Sequence, residues 1–313
     1  MSTVISTKIT AQLQEQLIEK LLDLAFLEDF GGISEDPEQP FDLTTSATVS
    51  PKLETKAEIL LKESAVVAGL PFLARVMERL SKQVEIELLV EDGTYIEVLS
   101  NPVPVAKLHG PAQAILKGER LALNIMQRLS GIATQTRRYT SLATPKGIAI
   151  LDTRKTSPGL RVLERYGVRA GGGTNHRFGL FDAILIKDNH LKIAGGVKAA
   201  LSAADKFLKA HPHLQMSQVL SVEVSNLDEL QDALDLGAKR VLLDNMSPEL
   251  VRECIQKISK SSSNESGDFY VEVSGGITLE NLNGYLISGV TAISTGSLTH
   301  SARNIDLSLE FID

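Results

Sequence analysis

Six short apolar runs in the second half of this chain end in residues able to do chemistry. Arg154-Lys155 follow IAILD, Lys187 follows AILI, Glu223 lies near the end of LSVEV, and Asp244 closes RVLLD. Ser274-Gly275-Gly276 follow YVEV, while Gly296 follows a further run, TAIST. His176-Arg177 come just after the glycines 171–173. Each type has a distinct use. Arg grips carboxylates and phosphates through paired hydrogen bonds, and Lys supplies a compact charge. Glycine lets backbone N–H groups approach an anion, and a following helix adds its positive end. Two carboxylates suit sugar hydroxyls, or Mg²⁺ held partly through water. The set fits a ligand with several negative charges. No His/Cys spacing typical of zinc is present, nor a Ser-His-Asp arrangement, nucleophile elbow, P-loop or GxGxxG fingerprint.

Charge distribution agrees. The net charge is −7, yet Arg120 to Lys192 holds 13 Lys/Arg against 4 Asp/Glu, a local +9. A solvated helix face accounts well for Arg137-Arg138, Arg161 and Arg165. It suits Lys187, beside Ile184-Leu185-Ile186, much less. Asp152, Asp182, Asp188 and Glu223 can each pair with a cation, but they are too few to neutralise the sector. A localised anionic ligand is the simpler account.

The elements that must position these residues follow from periodicity. The apolar runs 148–152, 183–186, 220–224, 240–244, 270–273 and 291–295 have strand-like length, and their tips stand about 20 to 36 residues apart. Helical stretches mostly separate them, as in βα units with a parallel sheet. An open doubly wound sheet and a barrel both satisfy this, and the number of tips favours a barrel. In either, ligands bind at the C-terminal strand ends. The first half reads as α+β: a helix at about 10–28, a Gly/Pro/acid loop, strands at 55–61, 65–68, 84–90 and 103–108, and a helix near 71–81. A long helix over about 112–142 follows.

The 313 residues are 43% hydrophobic with a single cysteine, Cys254. No intramolecular disulfide is possible, and a reducing cytoplasm is expected. No run approaches the roughly 20 apolar residues of a membrane span. Overall acidity, few aromatics and the lack of a known module argue against nucleic acid.

Several segments together resemble the quinolinate phosphoribosyltransferases, also called nicotinate-nucleotide pyrophosphorylases (carboxylating), a type II phosphoribosyltransferase family. They are ERLALNIMQRLSGIAT (119–134), LDTRKTSPGLR (151–161), GGGTNHR (171–177), LIKDNH (185–190), VEV (222–224), LLDN (242–245), VSGGI (273–277) and STGSLTHS (294–301). DLTT (42–45) also fits, whereas 31–41 is longer than the family's usual link. The resemblance implies an α/β chain: an N-terminal α/β sandwich over 1–125, an incomplete TIM-like α/β barrel over 126–301, and a tail, about 302–313, returning to the first domain. It implies transfer of phosphoribosyl from phosphoribosyl pyrophosphate to quinolinate with decarboxylation, for NAD synthesis. It also implies a homodimer or larger homo-oligomer. Arg154, His176, Arg177 and, across the interface, Arg120 would bind the acceptor's carboxylates. Lys155 and Lys187 would face both substrates. Glu223 and Asp244 would hold ribose hydroxyls and Mg²⁺. Ser274, Gly275, Gly276 and Gly296 would cradle the 5′-phosphate. His190 would orient its neighbours.

Three other readings compete. A related phosphoribosyltransferase on another acceptor would keep most of these residues. A barrel lyase would use Lys187 as a Schiff-base amine, but one amine leaves Arg154, Arg177 and two glycine turns without a purpose. A non-catalytic binding module would be expected to have lost Lys187 or the acidic pair.

Overall fold

Short strands precede Ala112. In the computed structural model, which describes residues 11–31, 42–215, 220–261 and 269–312, these are β1 (Glu54–Leu61), β2 (Ala65–Val66), β3 (Glu85–Leu88), β4 (Tyr95–Ile96) and β5 (Val103–Pro111). Ala57, Ile59 and Leu61 of β1 are buried while their neighbours are less so, as in a sheet with one face on a core. Next come the parallel strands β6 (Ala149–Leu151), β7 (Ile184–Ile186), β8 (Leu220–Val224), β9 (Arg240–Asp244), β10 (Tyr270–Ser274) and β11 (Ala292–Ser294), and then β12 (Leu307–Ile312).

The chain forms two compact units. One comprises Thr10–Arg137, Thr156–Gly172 and Ser301–Asp313. Its sheet has the order β12-β1-β5-β3, with Lys56 opposite both Ile312 and His109 in antiparallel pairs. The helix Leu70–Leu80 buries Leu73, Val76 and Met77 in this unit. Its first amides are satisfied by Asp92 Oδ1, which accepts from Gly69 and Leu70. Asp42 likewise caps Leu43–Thr48, accepting from the Thr45 amide. That short helix corrects the sequence reading, which left 43–48 in a loop. The unusual stretch 32–41 lies outside the described residues.

The other unit includes Arg138–Lys155 and Gly173–His300. Its six parallel strands run β6-β11-β10-β9-β8-β7. Strands follow sequence order around the sheet, except that β11 returns beside β6. On the far side of β6 a single bridge joins Leu151 to Thr174. No pairing of described residues links Thr174 to β7, so the barrel is incomplete there. Asp182 stabilises the turn in that gap, accepting from the amides of Phe178 and Gly179. β8, β9 and β10 are buried along nearly their whole length, as strands covered on both faces must be.

Candidate active site

The cations, carboxylates and glycine turns of the barrel unit meet at one end of its sheet. Arg154-Lys155 follow β6, His176-Arg177 follow the Thr174 bridge, and Lys187 follows β7. Glu223 and Asp244 sit at the ends of β8 and β9, Ser274-Gly275-Gly276 at the end of β10, and Gly296 just after β11. Parallel strands present all these positions on their C-terminal side. Arg120 belongs to the other unit. It lies on the helix Ala112–Ala143, its side chain 68% exposed and 3.7 Å from Glu119.

Lys187 Nζ lies 3.2 Å from Glu223 Oε2. Burial raises the Glu223 carboxyl above its ordinary value; Lys187 opposes this, and the nearby charge of Asp244 adds to it. Glu223 does not cap the next helix, because Asn226 accepts from the amides of Asp228 and Glu229. His190 Nδ1 accepts from the Lys187 amide at 2.9 Å and so orients the start of Asp188–Ala194. A cleft of about 300 Å³ opens beside Glu223 and Asp244, with Asp188, Lys192 and Gly196 in its wall.

Asp152, fully buried, builds the 175–177 corner. Its carboxylate accepts from Asn175 Nδ2 at 2.6 Å and from the His176 amide at 2.7 Å. His176 is only 7% exposed. Its Nδ1 accepts from the Arg177 amide at 2.7 Å, and its Nε2 lies 3.3 Å from Glu272 Oε1. The ring thus faces the barrel interior, not the strand-end opening. Arg177 Nη1 donates to the Ala183 carbonyl at 3.0 Å. Burial and the neighbouring Arg154 both press against the Arg177 charge, and Asp182 only partly offsets them.

The two glycine turns are tied together behind the opening. Thr295 Oγ1 donates to the Ile277 carbonyl at 2.8 Å. Ser297 Oγ lies 3.0 Å from Thr295 Oγ1 and 2.8 Å from the Tyr139 hydroxyl. Gly275 and Gly276 have φ of 94° and 60°, left-handed values that favour glycine. A Cβ on Gly296 would come within 2.9 Å of both Lys155 Cδ and the His300 ring. Thr299 Oγ1 donates to the Lys155 carbonyl at 2.8 Å, which holds the β6 tip against the β11 turn.

Among the described residues no cluster of three or more His, Cys, Asp or Glu could hold a metal alone. Glu223 and Asp244 instead fit a hard cation that completes its shell with water and ligand oxygens. Glu272 escaped the sequence reading, which took YVEV as an apolar strand. A carboxylate inside such a run is itself a signal, because burying it demands a partner.

Residues 42–130 match the family model described as quinolinate phosphoribosyl transferase, N-terminal domain, and 132–310 match that of the C-terminal domain. The chain is 40% identical over 293 residues to a probable nicotinate-nucleotide pyrophosphorylase [carboxylating] of Bacillus subtilis (strain 168), covering 94% of this chain and 93% of the relative. A chloroplastic nicotinate-nucleotide pyrophosphorylase [carboxylating] of Arabidopsis thaliana is 37% identical, with 94% and 82% covered. The solved nicotinate-nucleotide pyrophosphorylase of Francisella tularensis superposes with a TM-score of 0.81 at 34% identity, covering 99% of this chain and all of that one.

Proposed function

The chain belongs to the quinolinate phosphoribosyl transferase family, the decarboxylating phosphoribosyl transferases of de novo NAD biosynthesis, and we propose that the strand-end cluster of its barrel unit is where it converts quinolinate and phosphoribosyl pyrophosphate to nicotinate mononucleotide, pyrophosphate and CO₂. The observation that carries the assignment is Arg177, buried beside Arg154 with its charge disfavoured by both burial and that neighbour. A dianionic acceptor relieves this repulsion.

Arg154 and Arg177 take the two carboxylates of quinolinate, and His176 supports Arg177 from within. Arg120 of the partner subunit completes the pocket in a homodimer or larger homo-oligomer; its exposure on this subunit leaves it available. Lys155 and Lys187 lie between acceptor and donor. Glu223 and Asp244 hold the ribose hydroxyls. Ser274, Gly275, Gly276 and Gly296 direct backbone N–H groups at the 5′-phosphate. Glu223 and Asp244 would hold Mg²⁺, which would supply positive charge for the departure of pyrophosphate. The single cysteine and the absence of any membrane-spanning helix among the described residues support a cytoplasmic setting.

In the reaction, the quinolinate ring nitrogen attacks the anomeric carbon as the C–O bond to pyrophosphate breaks. Positioning dominates, so no protein nucleophile is needed. Lys155 and Lys187 stabilise the departing oxygens. The carboxylate next to the pyridinium nitrogen then departs as CO₂; the positive nitrogen stabilises the electron pair left on the ring carbon, which takes a proton from water to give nicotinate mononucleotide. Lys187 is 47% exposed and paired with Glu223, which suits an anion-binding cation better than the isolated, desolvated amine of a Schiff-base lyase. Purified protein mixed with quinolinate, phosphoribosyl pyrophosphate and Mg²⁺ should release nicotinate mononucleotide and CO₂. Use of nicotinate in place of quinolinate would overturn the assignment.

A further inference from the structure

Asn245 is the non-glycine residue that adopts a left-handed backbone among the described residues, with φ of 53°. Asparagine tolerates this conformation better than most side chains, but glycine tolerates it better still. Neither capping nor core packing explains it. Ser247, not Asn245, caps Pro248–Lys260, its hydroxyl accepting from the Leu250 amide. Asn245 is also exposed. What it contacts is the site. Its Nδ2 donates to Asp244 Oδ2 at 2.6 Å, and its backbone N–H donates to the Ser274 carbonyl at 2.9 Å. Its Oδ1 fills the space beside Gly275, where a Cβ would lie only 2.3 Å away. One side chain therefore touches the carboxylate tip of β9 and the glycine turn of β10.

We propose that Asn245 is a positioning residue for the phosphoribosyl donor. It fixes the plane of the Asp244 carboxylate and seats the 274–276 turn against it. With Oδ2 engaged by the amide, Asp244 presents Oδ1 to a sugar hydroxyl. The ribose and its 5′-phosphate then meet two groups already held at a set separation, so less ordering remains to be done on binding. A left-handed non-glycine residue persists where its surroundings over-determine it, and these contacts are that determination. The inference rests on the proposed assignment of Asp244 to ribose and of the 274–276 turn to phosphate.

Asn245→Gly is a clean test, because glycine accepts the backbone conformation while losing the amide. Phosphoribosyl pyrophosphate binding is followed by calorimetry, and steady-state kinetics are measured in each substrate. The expected result is a rise of about tenfold in Kd and KM for the donor, with quinolinate KM within about twofold and an unchanged or higher Tm. Asn245→Asp, which sets a second carboxylate against Asp244, should weaken donor binding at least as much. Wild-type donor affinity in Asn245→Gly overturns the proposal. So does a loss shared equally by both substrates together with a lower Tm, the mark of a merely structural residue. If the wild-type protein itself neither binds the donor nor turns over quinolinate, the functional assignment falls, and this inference with it.

Discussion

His176 Nε2 lies 3.3 Å from a Glu272 carboxylate that is 2% exposed, a polar contact sealed inside the barrel unit. Burial opposes both charges, yet Glu272 raises the His176 pKa and His176 lowers that of Glu272. Other groups face the pair from several strands. Asp152 favours the charged imidazole and Arg177 opposes it, while Ser294 and Arg240 help keep Glu272 ionised. With Nδ1 accepting from the Arg177 amide, the imidazole is neutral in this geometry; protonating it makes the Glu272 contact an ion pair at the cost of that bond.

Glu272→Gln should destabilise the protein by roughly 3–5 kcal/mol, because it leaves a buried partner uncompensated. The cost should depend on pH. The contribution of His176 is complete below its usual 6.5 and is lost as pH rises through its raised folded value. That of Glu272 is complete above its usual 4.5 and is lost as pH falls through its lowered folded value. Urea unfolding should therefore show the largest gap between wild type and variant between pH 4.5 and 6.5, narrowing on either side. A gap that is constant with pH would show that the pair is not ionised.

Glu223 leads to a kinetic expectation. Burial, reinforced by Asp244, holds its carboxyl above the usual 4.5 despite Lys187. Its charged form, needed to hold a ribose hydroxyl, is lost earlier on acidification than for an ordinary carboxylate. The acid limb of kcat/KM for the phosphoribosyl donor should fall above pH 4.5. Glu223→Gln should remove that limb and lower the plateau.

Arg177→Lys keeps the charge but removes the planar fork, and with it the bond to the Ala183 carbonyl. Turnover of quinolinate should fall by about tenfold or more, with donor KM little changed. Parallel kinetics in the two substrates will test this, and wild-type turnover in a folded variant would count against a carboxylate-binding role.

Gly296→Ala separates folding from function. The added methyl meets the flexible stem of Lys155 and the ring of His300, both at 2.9 Å. Side chains can move aside, so Tm should change little. Lys155 would be displaced from between donor and acceptor, and donor KM should rise by about tenfold. A large fall in Tm with unchanged KM would contradict this account of the turn.

The sequence disclosed the strand tips because polar residues ending buried runs are visible without a fold. Glu223 could be singled out there as a carboxylate near the end of an apolar run. Glu272 could not be placed, because its partner lies 96 residues earlier in the chain and only the barrel brings them together. IAILD reads as one strand over 148–152, yet β6 stops at Leu151. Asp152 leaves the ladder to hold Asn175 and His176. β4 and β12 also escaped the reading. β4 has only two residues, and β12 is defined by the register of a distant partner, β1. Asn245 stood in LLDN without a role, since a left-handed backbone leaves no mark that sequence alone can separate from an ordinary turn.

The pairing of β12 with β1 bears on how the protein is made. Lys56 faces Ile312, and Leu61 faces Leu307. During synthesis one edge of β1 waits without its neighbour while the whole barrel unit emerges. That edge is a template for wrong pairing until residues 307–312 leave the ribosome. Translation that stalls between β11 and β12 therefore leaves the sheet of the antiparallel unit unfinished.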